Sequence, residues 1–224
     1  MPRADRSATA DGVDAVSFDL FGTLIEVRPP ANPADAVAAA LRERDVSVPD
    51  DWQRRYETTR IETEPGEELS LYDHVAAALG AETDSGGRTA TPSTVEAAVD
   101  AAFDPAVETV SGAEEVVRAV GERGPMAILS NSSVPGLAER AVERSALRIA
   151  DFDAVVTSVD CGWRKPDPRA FETVADALDV TVDGLLHVGD DPETDGEIAA
   201  AGGRFVSVQE IPLETVPAML EVDP

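Results

Sequence analysis

Four short stretches of this chain carry side chains that could do chemistry together. Asp19 closes an apolar run and leads into Leu20-Phe21-Gly22-Thr23. Leu129-Ser130-Asn131-Ser132-Ser133 ends a second run, Trp163-Arg164-Lys165-Pro166-Asp167-Pro168 follows a third, and Gly189-Asp190-Asp191-Pro192-Glu193-Thr194-Asp195 follows a fourth. Carboxylates, hydroxyls and one ammonium suit phosphoryl transfer. A carboxylate can attack phosphorus and carry an aspartyl-phosphate, which makes Asp19 the candidate nucleophile. Carboxylates held together repel unless a hard cation sits among them, and Mg2+ takes oxygen ligands of this kind. Asp19 and Asp190 can supply them, with Asp191 or Asp195 adjacent. Ser130 and Thr23 can donate hydrogen bonds to phosphoryl oxygens, and Lys165 can neutralise the nucleophile and the developing charge. Any one stretch could be ordinary turn chemistry; the agreement of all four argues for a site.

Bringing such stretches together takes a sheet. Val13 to Phe18, Met126 to Leu129, Ala154 to Thr157, Leu185 to Val188 and Arg204 to Val208 are continuous apolar runs, the pattern of parallel strands covered on both faces. Ala113 to Gly121, Pro135 to Leu147, Pro168 to Leu178 and Thr194 to Ala201 show helical spacing between them. The alternation predicts a doubly wound α/β sheet, whose ligands bind beyond the carboxyl ends of the strands. Between the first two strands lie about a hundred residues in which Ala34 to Arg44, Asp50 to Ile61, Leu71 to Leu79 and Ser93 to Phe103 read as helices, by the same spacing rule. Ser70 and Ser93 are the expected N-caps, and Glu82 to Pro92 is a polar loop. The expected fold is a Rossmann-like core (1–27 and 110–224) with an α-helical cap inserted over 28–109.

The chain has 224 residues and a formal net charge of -26, from 44 acidic and 18 basic residues. That balance disfavours nucleic acid and anionic membranes as partners. The acids are spread through apolar-periodic segments, which indicates a folded domain with a carboxylate-rich surface rather than a disordered tail. Lys165 is the only lysine, and a chain that otherwise uses arginine is expected to need an ammonium there. This composition is similar to that of proteins from salt-loving archaea. A single cysteine, Cys161, allows no intrachain disulfide and fits a reducing cytoplasm. The first twelve residues lack the apolar core of a signal peptide, and no run is long enough to span a membrane. They are expected to form a frayed tail. The expected partner is a small-molecule substrate, and the expected state is a monomer or homodimer.

Taken in order, "DLFGTL", "LSNSS", "WRKPDP" and "GDDPETD" resemble the four motifs of the haloacid dehalogenase-like (HAD) hydrolase superfamily, whose helical cap is inserted after the first motif. The resemblance covers nearly the whole chain. It implies Asp19 as nucleophile, Ser130 as a phosphate ligand, Lys165 as the charge-stabilising lysine, and Asp190 with its neighbours as the Mg2+ site. The Phe21 backbone carbonyl is implied as a further metal ligand.

Phe21 departs from the pattern of the family's phosphatases, which place a second aspartate there to protonate the leaving alkoxide. Such help is worth roughly 10²–10⁴-fold. Three branches of the family lack that acid. Haloacid dehalogenases carry an aromatic there, because halide leaves without a proton; they also use a cap arginine, for which Arg54, Arg55 and Arg60 are candidates. Their third-motif aromatic would fall at Phe171. The phosphonate-cleaving branch needs a cap lysine, which this chain lacks. Enzymes acting on anhydrides, acyl phosphates or aryl phosphates need no acid, since their leaving groups are stable as anions. The acids of the fourth motif favour a Mg2+-dependent phosphatase; dehalogenase-like chemistry and a non-catalytic binding or regulatory role remain as alternatives.

Other residues have plainer readings. His187 is expected to pack inside its strand, His74 to lie on the surface, Tyr56 and Tyr72 to fill the cap core, and Cys161 to be a small buried residue. Asn131 is either a phosphate contact or a turn residue, and Trp163 either walls the site or covers the sheet.

Overall fold

The strands and helices are set by burial. In the computed structural model, which describes residues 12–59, 61–80 and 90–220, the strands are β1 (Ala15–Phe18), β2 (Ile25–Val27), β3 (Val107–Thr109), β4 (Met126–Ser130), β5 (Ala154–Thr157), β6 (Leu185–Gly189) and β7 (Arg204–Ser207). Residues 1–11, Arg60 and residues 82–89 of the polar loop, about which the sequence raised expectations, lie outside the described residues.

Five strands form one parallel sheet in the order β5-β4-β1-β6-β7. Every residue of β1, β4 and β6 is buried, so the central strands read as continuous apolar runs. Their side chains still alternate between faces. Val16, Phe18, Met126, Ile128, Leu186 and Val188 join one core layer, while Ala15, Ala127, Leu129 and Leu185 join the other. Ser17 and His187 are register partners on β1 and β6, so they share a face.

The helices are α1 (Pro33–Arg42), α2 (Trp52–Thr58), α3 (Leu71–Leu79), α4 (Pro92–Ala102), α5 (Ala113–Gly121), α6 (Leu137–Arg144), α7 (Ser158–Cys161), α8 (Pro168–Ala177) and α9 (Val216–Met219). The first layer lies against α5, α6 and α9, and the second against α8. α1 to α4 pack on one another through Val37, Leu41, Val75, Val95 and small alanines, with Val134 of the core joining the cluster. Trp52 is tied in by its indole N–H, which donates to Ala34 O at 2.8 Å. The chain leaves the sheet and returns to it along β2 and β3, which pair antiparallel from Ile25↔Thr109 to Val27↔Val107.

Several expectations are corrected. The N-cap of α4 is Thr91, whose hydroxyl accepts from Thr94 N, not Ser93; Pro92 then takes the first helical position, where its missing N–H costs nothing. Ser70 caps α3 as expected. The helix expected over Thr194 to Ala201 is a 3-10 helix of Gly196–Ala201, because Asp195 is held in the loop by its own partners and Gly202, at φ +96°, ends the turn. β2, β3, α7 and α9 are three or four residues each, too short to show periodicity.

Phe171 is fully buried and sits edge-on to the His187 ring at 5.6 Å between centroids. Phe171→Ala should cost ~3–5 kcal/mol through lost burial and a residual cavity. Urea unfolding in molar KCl measures this; a loss below ~1 kcal/mol would mean that the layer under α8 relaxes to fill the space.

Candidate active site

The parallel register puts the ends of β1, β4 and β6 side by side, and with them Asp19, Ser130 and Asp190. Asp19 extends the ladder, its N–H donating to Val188 O at 2.8 Å. The chain then turns sharply through Phe21, Gly22 and Thr23. Gly22 has φ +93°, and a Cβ there would lie 2.7 Å from Asp190 Oδ2. Glycine is needed both for the backbone and for the approach of Asp190.

Lys165 is the electrostatic centre. Its side chain is 1 % exposed, and its ammonium donates to Asp19 Oδ1 at 2.7 Å, Asp195 Oδ1 at 2.6 Å and Leu129 O at 2.8 Å. All three ammonium protons are thereby satisfied. The loop carrying Lys165 is clamped by Asn131, whose Oδ1 accepts from Lys165 N at 2.8 Å and whose Nδ2 donates to Lys165 O at 2.9 Å. Asn131 therefore positions the lysine. Its Nδ2 carries a second N–H, and Asn131 lines the same cleft as Asp19 and Lys165.

Behind Lys165 lies a buried polar chain. Asp195 Oδ1 also meets His187 Nε2 at 3.2 Å, and His187 Nδ1 meets Ser17 Oγ at 2.8 Å. Burial lowers the His187 pKa to about 4, aided by the Lys165 charge, so the ring is neutral at pH 7. An ionised Asp195 can only accept, which places the ring proton on Nε2 and makes Ser17 Oγ the donor to Nδ1. Burial works against ionisation of Asp195, but His187 and Lys165 together hold its pKa well below the usual carboxylate range. Asp19 goes the other way. Burial lifts it from 3.8 to about 6 against the pull of Lys165, and Asp195 and Asp190 add to the rise. Asp190 is also raised, by burial and then by Asp195. With the Lys165 charge shared, a proton goes to Asp19 before Asp195.

These groups line an open cleft of about 330 Å³. A larger groove of about 610 Å³ lies along α5, but it is lined by Glu115, Arg118, Arg148 and Asp151 with no grouped nucleophile; the chemistry belongs to the smaller cleft. The residues fit a hard divalent cation. Asp19, Asp190 and Asp195 each offer an oxygen, and these atoms lie within 4.8 Å of one another. An all-oxygen set suits Mg2+ rather than a soft metal. The Phe21 carbonyl accepts no hydrogen bond among the described residues. Asp195 already serves Lys165, His187 and Asp191 N, which leaves Asp19 and Asp190 as the better-placed carboxylates. Asp191 lines the cleft but lies outside the cluster of three carboxylates; its carboxylate accepts from Glu193 N at 2.9 Å and Thr194 Oγ1 at 3.0 Å, which caps the turn.

Ser130 Oγ and Thr23 Oγ1 are buried without a hydrogen-bond partner. An orphaned buried hydroxyl is costly, and that of Ser130, which lines the cleft, suits a ligand rich in acceptor oxygens; Thr23 follows Asp19 by four residues in the adjoining turn. Other candidates lie elsewhere. Arg54 and Arg55 both pair with Asp51, the N-cap residue of their own helix. Phe171 is buried beneath the sheet, Trp163 lies under the Arg169 guanidinium at 3.2 Å, and His74 meets Tyr56 O at 2.8 Å. Cys161 is half-buried, and burial pushes its thiol pKa up.

The sequence did not disclose a strap from the helical insertion. Glu67 bridges Trp163, Glu68 N donates to Gly162 O at 2.8 Å, and Arg164 N donates to Gly66 O at 3.0 Å. Glu68 reaches further in, accepting from Ser158 Oγ at 2.7 Å. The one legible signal was Gly66 amid acids; at φ +83° a Cβ there would lie 2.3 Å from Asp167 Oδ2.

Residues 13–203 match the family described as haloacid dehalogenase-like hydrolase. A curated relative, the haloacid dehalogenase-like hydrolase domain-containing protein 3 of Bos taurus, is 35% identical over 97 residues, a match covering 43% of this chain and 38% of that protein. Among solved structures, a 2-haloacid dehalogenase from Pseudomonas syringae superposes with a TM-score of 0.65 at 18% identity, covering 93% of this chain and 98% of the other. A HAD family enzyme from Bacteroides thetaiotaomicron, solved with magnesium and inorganic phosphate, gives 0.56 at 14% identity over 88% and 94% of the two chains. At such identities the superpositions establish the α/β fold and nothing finer.

In the cation-free protein the folded chain keeps a proton on Asp19 up to about pH 6, whereas the unfolded chain releases it near 3.8. This group therefore lowers stability as pH rises through that window. A Mg2+ ion binding at Asp19 would have to expel the same proton, so its affinity should fall about tenfold per pH unit below roughly 6 and level off above it. Calorimetric titration from pH 5 to 8 measures this; a flat profile would remove Asp19 from the ligand set.

Proposed function

Because this chain belongs to the haloacid dehalogenase-like hydrolase family, we propose that it is a Mg2+-dependent phosphatase acting on a small phosphorylated metabolite through an aspartyl-phosphate. The observation that carries this reading is the charge of the cleft. Asp19, Asp190, Asp191 and Asp195 line it against Lys165 and Arg164 only. The imbalance equals the charge of one divalent cation, and burial, with neighbouring carboxylates adding to it, raises the pKa of both Asp19 and Asp190.

Asp19 presents one oxygen to Lys165 and keeps the other for attack. Bond formation from that oxygen to phosphorus breaks the bond to the leaving oxygen, which departs with the electron pair. Water then attacks phosphorus and releases phosphate, restoring the carboxylate. Ser130 and Thr23 donate to the phosphoryl oxygens, and Lys165 offsets charge throughout. Bound at Asp19, Asp190 and the Phe21 carbonyl, Mg2+ would polarise the phosphoryl oxygens and screen the carboxylates. At pH 7 Asp19, with a pKa of about 6, is ionised and competent to attack. Phe21 brings no proton to the leaving group, which favours substrates whose leaving group is stable as an anion.

Phe21 is also the observation favouring a second reading, hydrolytic dehalogenation, in which halide leaves carbon without a proton. Against it, Arg54 and Arg55 are engaged with Asp51. The apolar cluster that α1 to α4 build on one another supports treating residues 28–109 as a cap that chooses the substrate. The acidic surface supports a working environment of concentrated salt, in the cytoplasm.

The test is release of p-nitrophenol from its phosphate ester in molar KCl, with Mg2+ or EDTA, comparing wild type with Asp19→Asn. Mg2+-dependent release that falls to background in the variant is expected, and release of halide from 2-haloacids in EDTA would establish the second reading instead. Aryl phosphates should be cleaved roughly 10²–10⁴-fold faster than alkyl phosphates, the usual worth of the absent acid. Equal rates would mean that another residue supplies the proton.

A further inference from the structure

We propose, resting on the phosphatase reading, that Arg164 selects substrates bearing a second anionic group, a carboxylate or phosphate, on the leaving side of the phosphoryl group. Four observations lead there. Arg164 lines the cleft beside Lys165, yet its side chain is 54% exposed against 1% for Lys165. The buried groups Asp19, Ser130 and Lys165 mark the phosphoryl end, so whatever meets Arg164 at the exposed mouth belongs to the departing part of the substrate.

Among the described residues the guanidinium also has no hydrogen-bonded partner. Its one ion-pair contact among the described residues is Glu68 Oε2, at 3.8 Å, and that oxygen already accepts from Ser158 Oγ at 2.7 Å. Arg55, Arg118, Arg140, Arg148 and Arg169 all make hydrogen-bonded pairs with acids. In a chain of 44 acidic and 18 basic residues, a guanidinium left with its donors unused beside the nucleophile is open to a ligand.

Its placement is built rather than incidental. Arg164 N donates to Gly66 O at 3.0 Å, and Asp167 N donates to Arg164 O at 2.9 Å. The strap thus fixes the backbone on one side and the turn to Asp167 on the other, and Glu68 keeps a charge near Nε without consuming the outer donors. The last observation is Phe21. Where no acid can protonate the leaving group, a guanidinium that pairs with its anionic part supplies charge stabilisation instead. A planar fork of donors matches carboxylate or phosphate in two-point contact.

The experiment compares kcat/KM of wild type, Arg164→Ala, Arg164→Lys and Asp19→Asn on phenyl phosphate, meta-carboxyphenyl phosphate and inorganic pyrophosphate, with Mg2+ in molar KCl. Wild type should favour at least one charged substrate over phenyl phosphate, and which one distinguishes carboxylate from phosphate. In Arg164→Ala that preference should shrink about 10- to 100-fold, the worth of a hydrogen-bonded charge, and Arg164→Lys should restore part of it. Melting temperatures identify any variant that fails to fold, and Arg164→Lys, which keeps the charge, then carries the comparison. A wild-type preference near unity for both charged substrates, or one unchanged in Arg164→Ala, overturns the assignment while Asp19-dependent hydrolysis leaves the phosphatase reading intact. No Asp19-dependent release from any of the three overturns both.

Discussion

An ammonium can be buried only where each of its protons finds an acceptor, and Lys165 meets that condition with Asp19, Asp195 and Leu129 O. The rest of the site follows from this arrangement. Leu129 is the penultimate residue of β4, so the sheet itself supplies one acceptor. Asp195 is oriented by His187, which is oriented by Ser17 across the β1–β6 pair. Removing one member would strand a charge in a low-dielectric interior, a loss of ~3–5 kcal/mol in comparable buried pairs. The same constraint leaves Asp19 half-compensated: it shares its cation with a better-supported neighbour and so retains an appetite for further positive charge.

The insertion takes part in this arrangement. Residues Gly66 to Glu68 form a short strand-like seam with Gly162 to Arg164, directly before Lys165. Arg140 and Tyr72 meet on Asp100, joining α3 and α4 to α6 on the other flank. The inserted helices are thus joined to the sheet by the ribbon of β2 and β3, by these polar contacts, and by Val134 and Leu137, which pack into the α1–α4 cluster.

Much of this was legible in the sequence because parallel central strands are buried on both faces and announce themselves as apolar runs; β5 and α5 are bounded as expected. Asp19, Ser130, Lys165 and Asp190 could be named because they follow such runs directly. What stayed hidden depends on contact between distant segments. Ser17 and His187 are 170 residues apart, and nothing local distinguishes Ser17 from any serine in a strand. Asn131 reads as a turn residue or a phosphate ligand, and its clamp on Lys165 shows only once Lys165 is placed against it. Asp191 and Asp195 look alike in "GDDPETD", and only the path of the loop decides that one caps a turn while the other meets the lysine. Glu68 had no signal, because its burial is created by a strap that pairs with a loop about a hundred residues further on.

The composition of the chain turns Lys165 into something more than a charge. It is the sole lysine, and in the folded protein it is 2% exposed. Every other side-chain cation except histidine is a guanidinium, which acylating reagents do not readily modify. Apart from the α-amine, the molecule therefore carries a single reactive amine, shielded by two carboxylates and located where the strap meets the sheet. Covalent capture of that amine would count openings of the cleft one molecule at a time, without any engineered label.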